Sequence, residues 1–145
     1  MAVPQPSKRQ HLSTDLLDTA VYTLLHSDKL KAAAATGCTL EFTEKRPWVM
    51  AESLLTRAWS EGVRLAILFA PAEGIAGLTH WGTIDTIEIV RNAHGGGVTR
   101  VRVSGLRPIE PSRKLSELVL TSTGKRLSES FIRPYAIVRA PGFVG

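Results

Sequence analysis

Helical spacing and strand alternation divide the chain into a succession of short elements. Between Ser13 and Leu25, the apolar residues Leu16, Leu17, Ala20, Val21, Leu24 and Leu25 recur at helical spacing, which predicts an amphipathic helix capped by Ser13 or Thr14. A second helix is expected to start at Ser27 and Asp28, run through the alanines and stop at Gly37, a residue suited to the left-handed position after a helix. Cys38 to Thr43 alternates as a strand does, with Leu40 and Phe42 on one face and Glu41 and Thr43 on the other. Pro47 suits the first turn of a third helix, on which Met50, Leu54, Leu55 and Ala58 face inward and which Gly62 ends.

The second half of the chain reads mainly as strands. Val63 to Phe69 is the most apolar run of its length and predicts a central strand. After a Pro/Gly turn, residues 74 to 90 predict a long bent strand, whose Gly77 and Gly82 leave room beside Thr79, His80 and Trp81 for another backbone or a ligand. The segment from Asn92 to Gly97 permits positive φ and closes a hairpin onto Val98 to Ser104, where Val101 and Val103 alternate with Arg100, Arg102 and Ser104. Leu106 to Arg113 contains Pro108 and Pro111 and predicts a connection. Leu115 to Leu120 predicts a short helix or turn, and Tyr135 to Arg139 a last strand.

Helices first and strands afterwards, joined by short connections, point to an α+β fold rather than a doubly wound one. Five or six strands suffice to close a small β-barrel with flanking helices. A chain of 145 residues, 43% of them hydrophobic, buries one core, so a single globular domain is expected over residues 13–145, behind a flexible N-terminal leader at 1–12. The lone Cys38 excludes an internal disulfide framework and fits a reducing cytoplasm. His11, His26, His80 and His94 share no metal-ligand spacing, so neither a metal nor a cofactor is expected. The first residues lack the apolar core of a signal peptide, and no apolar run approaches the length of a membrane span.

A net charge of +5 favours polyanionic partners, RNA or DNA, through phosphate contacts. Arg100 and Arg102 project from one strand face, as backbone contacts require, and Lys8 and Arg9 in the leader are further candidates. The hairpin also brings Glu88 within reach of this face, and the plainer reading is a solvated ladder. Lys45 and Arg46 gather positive charge at a strand end beside a helix N-terminus.

The order of these elements resembles the PUA-like superfamily: a helix ending in Gly37, a strand holding Glu41, the basic turn Glu44-Lys45-Arg46, a helix, the strand Leu65 to Ala70, then Gly74 to Gly77 opening a long strand. Within it the chain is most similar to ASCH and EVE domains, and the likeness spans roughly residues 15 to 140. This resemblance implies a small barrel that binds RNA or modified nucleobases. ASCH domains carry a motif G-x-K-x-x-E-x-R around a cleft; here Gly37 is followed by Thr39, Phe42 and Glu44 at the lysine, glutamate and arginine positions, while Glu41 and Arg46 stand nearby at shifted spacing. Some ASCH-like proteins are hydrolases of modified cytidine or nucleases that use lysine, threonine and glutamate. The resemblance therefore implies Thr39, Glu41, Glu44 and Lys45 as a catalytic set, with a glutamate as general base and Lys45 as electrostatic stabiliser.

The ligand site expected on this reading is a cleft in which Trp81 is a stacking platform, with Thr79, His80, Arg46 and Trp48 around it. A tryptophan on a strand is also a common core residue, and Trp59 is expected to pack. A third reading is a protein-interaction or structural domain whose glycines satisfy strand geometry alone. The segment His94 to Gly97 lacks the G-x-S-x-G elbow of an esterase, and Gly124-Lys125-Arg126 lacks the rest of a phosphate-binding loop.

Overall fold

The apolar run after Gly62 becomes the strand around which the rest is arranged. In the computed structural model, which describes residues 15–73, 77–94, 96–128 and 135–144, this strand is Ala66–Pro71 and each of its residues is buried. The elements are β1 (Thr19–Leu25), α1 (Ser27–Ala35), β2 (Leu40–Glu44), α2 (Val49–Glu61), β3 (Ala66–Pro71), β4 (Leu78–Arg91), β5 (Gly97–Arg113), a 3-10 turn (Leu115–Glu117) and β6 (Tyr135–Arg139). The strands form one mixed sheet in the order β2-β5-β4-β3-β1-β6, in which β1 and β3 run parallel and the other neighbours antiparallel. The chain is α+β.

The expected barrel is not closed. β2 and β6 are the two ends of the sheet. The outer edge of β6 is already used: the Arg139 amide donates to the Val119 carbonyl at 2.9 Å, and the Thr121 amide donates to the Ile137 carbonyl at 3.2 Å. An edge occupied in this way has few groups left to pair with β2.

Alternation along β3 sends side chains into two cores. Ile67 and Phe69 face α1 and α2 and pack with Leu30, Leu55, Phe42 and Val103; Ala66 and Leu68 face the other way and pack with Tyr22, Trp81, Leu118 and Leu127. β1 lies beside β3 and is covered on both sides as well, so Thr19 to Thr23 are all buried. That position explains why residues 19–25 form a strand and not the expected helix. A strand covered on both faces needs no polar alternation, and its continuous apolar run meets helical spacing equally well. The expected cap at Ser13 or Thr14 lies outside the described residues.

The second predicted helix is α1, but its first amide is capped from across the fold. The Ser27 amide donates to Glu73 Oε1 at 2.8 Å, while Glu73 Oε2 stands 3.1 Å from His26 Nδ1. α2 ends at Gly62 in the left-handed conformation, with φ 72°, as its spacing predicts. Its buried face is Ala51, Leu55 and Ala58, one position round from the expected stripe, so Leu54 is only partly buried and Met50 is 61% exposed.

Residues 106–113, expected as a connection, continue β5. β2 pairs with β5 only as far as Val103, and after the bond from the Leu106 amide to the Cys38 carbonyl at 2.9 Å no strand among the described residues pairs with that edge of β5, where a proline's missing N–H is tolerated. The room beside Gly77, just before β4, and beside Gly82 within it is filled by this same strand. A Cβ at Gly77, where φ is +76°, would clash with the Arg113 carbonyl oxygen, and one at Gly82 would lie 2.7 Å from Val103 Cγ1 and 2.9 Å from the Ser104 carbonyl oxygen.

Candidate functional site

Trp81 lies between Leu68 of β3 and Arg107 of β5, on the sheet face away from the helices, and is only 7% exposed. The Arg107 guanidinium carbon sits 4.5 Å from its ring centroid, held there in part by a hydrogen bond from Nε to the Gly105 carbonyl at 3.1 Å. The arginine thus covers one face of the ring. His80 pairs with Phe69 and so points to the helix side, opposite to Trp81. Its Nδ1 is 3.0 Å from Thr79 Oγ1, and burial, with Lys31 adding a smaller repulsion, holds the imidazole pKa below its ordinary value.

Arg46 and Trp48 are fixed by one buried threonine of β5. Thr99 Oγ1 donates to the Arg46 carbonyl at 2.5 Å and accepts the Trp48 amide at 2.9 Å. The Trp48 ring is fully buried, stacked on Tyr135 with centroids 4.6 Å apart and edge-on to Phe42 at 5.7 Å. Glu41 pairs with Arg102 while Trp81 pairs with Arg107, so five residues of β5, roughly 15 Å of strand, separate their partners. These residues therefore sit at separate places on the sheet.

Strand alternation also divides the implied catalytic set. Thr39 and Glu41 are exposed on one side of the β2 strand line, whereas Glu44 shares the side of Phe42 and is half-buried, which pushes its carboxyl pKa up. Lys45 is exposed in the turn that follows. Lys8 and Arg9 lie outside the described residues.

What the sheet does bring together is a ladder of charge. Across β2, β5 and β4, Glu41 stands opposite Arg102 and Arg102 opposite Thr86, while Thr43 stands opposite Arg100 and Arg100 opposite Glu88. With Lys29 of α1 these side chains line an open groove of about 340 Å³. Arg102 Nε is 3.8 Å from Glu41 Oε1, and Arg100 Nη1 is 3.8 Å from Glu88 Oε1. All four side chains are more than half exposed, and contacts this long between solvated groups contribute little to stability. The arginines are therefore held loosely enough to exchange partners.

A second depression, of about 320 Å³, adjoins the first at Thr86 and was not foreseen from the sequence. β3 pairs with β4 only to Thr83, and a register shift between Ile84 and Thr86 turns Asp85 toward the gap beyond the start of β3. Ser104 Oγ donates to Asp85 Oδ1 at 2.9 Å, and the buried Thr83 hydroxyl lies 3.5 Å from Ser104 Oγ. Leu55 and Trp59 of α2 form the apolar wall. Arg64 completes it, its backbone held by the Asp15 carbonyl at 3.0 Å and the Leu17 amide at 2.7 Å. Its Nε is buried with no hydrogen-bond partner among the described residues. The only advance signal was the alternation that placed Ser104 on the face of Arg100 and Arg102. No protein-family model matches the chain, and no curated protein is significantly similar to it.

Proposed function

We propose that the chain is a nucleic-acid-binding domain that holds phosphates in the groove across β2, β5 and β4. The observation that carries this reading is the pairing of Arg100 and Arg102 on one exposed strand face, with Lys29 beside them and only distant carboxylate partners. Residues two apart on a strand are about 6.8 Å apart, comparable with the separation of successive phosphates on an extended single strand. Three cationic side chains face two anionic ones there, and the chain as a whole carries +5. The likeness in element order to ASCH and EVE domains makes single-stranded RNA the first ligand to try. Binding stands ahead of hydrolysis because Glu41 and Glu44 lie on opposite sides of β2.

Fluorescence anisotropy of a labelled single strand at several salt concentrations tests the proposal. For single strands the slope of log K against log salt is about −0.7 per phosphate contacted, so Arg100→Gln or Arg102→Gln should each make it shallower by that amount. Glu41→Gln, which removes a competing anion, should tighten binding. Absence of binding at low salt, or a slope untouched by both arginine substitutions, would exclude the groove. The burial of Trp81 under Arg107 favours a second reading, a protein-interaction or structural domain, which gains if RNA and DNA both fail to bind.

A further inference from the structure

We propose that the pocket between the C-terminal end of α2 and the bulge of β4 binds a free amino acid with an apolar side chain, its carboxylate on Arg64 and its ammonium on Asp85. Among the described residues the lining presents two ionic groups of opposite sign, Arg64 and Asp85. A site with one guanidinium and one carboxylate suits a ligand that is neutral overall and carries both charges, and it disfavours a phosphate, which would meet Asp85 as a like charge.

Each charged group has bonding capacity to spare. Arg64 is partly exposed and lines the pocket; its Nε is closed off from solvent, so a ligand carboxylate would meet the guanidinium at its terminal nitrogens. Asp85 accepts the Ser104 hydroxyl on Oδ1, a bond that orients the carboxylate and leaves its other acceptor positions for an ammonium group. Leu55, Trp59 and Val63 supply an apolar surface for the side chain. The volume of about 320 Å³ lies at the small end of ligand pockets, roughly 300 to 1,000 Å³, which fits one amino acid better than a larger cofactor.

Calorimetric titration of the full chain with L-leucine, L-methionine and L-phenylalanine tests this site. At least one should bind saturably and change the tryptophan fluorescence, and that change should vanish in Trp59→Phe. L-Leucinamide, which lacks the carboxylate, and N-acetyl-L-leucine, which lacks the ammonium, should each bind at least about tenfold more weakly, a difference of about 1.4 kcal/mol. Arg64→Met keeps the aliphatic stem and the backbone bonds of the residue, and Asp85→Asn keeps an acceptor for Ser104. Both should lose binding by a similar factor with an unchanged thermal midpoint. Absence of saturable binding with a Kd below about 1 mM, or equal binding of the two blocked analogues, would overturn the proposal. So would binding of uridine that is lost in Arg64→Met, since it would make the pocket a base site. Loss of RNA binding in the groove variants would leave this result unaffected, because Arg100 and Arg102 do not line the pocket.

Discussion

Replacing Trp81 with alanine separates a packing role from a ligand platform. The side chain is 7% exposed, so nearly all of the 150 to 250 Å² that an aromatic residue typically buries is out of water, worth about 4 to 6 kcal/mol at about 25 cal/mol per Å². That range is an upper bound, since alanine retains part of the contact and unfolded chains are partly compact. A loss of about 3 to 5 kcal/mol remains, in line with truncations of large core aromatics. For a chain of 145 residues this corresponds to a fall in Tm of roughly 10 to 16 °C. Urea unfolding followed by far-UV circular dichroism, beside a thermal melt, measures it. Arg107→Ala in both backgrounds completes a double-mutant cycle, with an expected coupling of about 0.5 to 1 kcal/mol for an arginine at the surface over a buried ring. A loss below about 1 kcal/mol together with abolished RNA binding would refute the packing argument and restore Trp81 as a platform.

Three further outcomes follow from particular contacts. Glu73 has its carboxyl pKa held down at about 2, below the ordinary 4.5, first by the Ser27 amide and then by His26. Its stabilising effect should be complete above about pH 4.5 and lost as pH falls toward about 2, and Glu73→Gln should flatten the urea midpoint across that window. His80 has its pKa lowered from 6.5, chiefly by burial, so the fold resists its protonation and should lose stability as pH drops below that value; His80→Gln should remove this loss, and an unchanged pH profile would count against it. Gly82→Ala sets a methyl group against the Ser104 carbonyl and the Leu106 Cα, both backbone, and should cost about 1 to 3 kcal/mol in urea unfolding.

The elements most legible in the sequence were those with one dry face or an unmistakable end. β6 appears over Tyr135–Arg139 as expected, and Gly62 closes α2 where its spacing predicts. β1 was hidden because burial on both faces erased the alternation that marks a strand. The second half of β5 was hidden because Pro108 and Pro111 are ordinary breakers until one knows that β2 stops at Val103 and leaves an edge. The charge ladder was half legible: alternation put Arg100 and Arg102 on one face, and the hairpin supplied Glu88, but Glu41 joined them only through the pairing of β2 with β5. Of the neighbouring pocket, alternation marked Ser104 alone. Arg64, Asp85 and Ser104 come from three separate stretches, and a single bulge in β4 decides that they meet.

The pairing of β1 with β6 has a consequence for how the chain is made. Thr19 to Thr23 bond on one side to residues 135–139, more than a hundred positions later in the chain. A nascent chain emerges from the ribosome in order, so β1 can dock on β3 while its other edge still waits for a partner that has not been synthesised. During that interval the cell holds a half-built sheet with a long apolar strand at its margin, open to the same strand on a neighbouring polysome. Chains cut short before Tyr135 should accumulate as aggregates or chaperone-bound species, and yield on expression should respond to translation speed over the last third of the message more than to changes on the helical face.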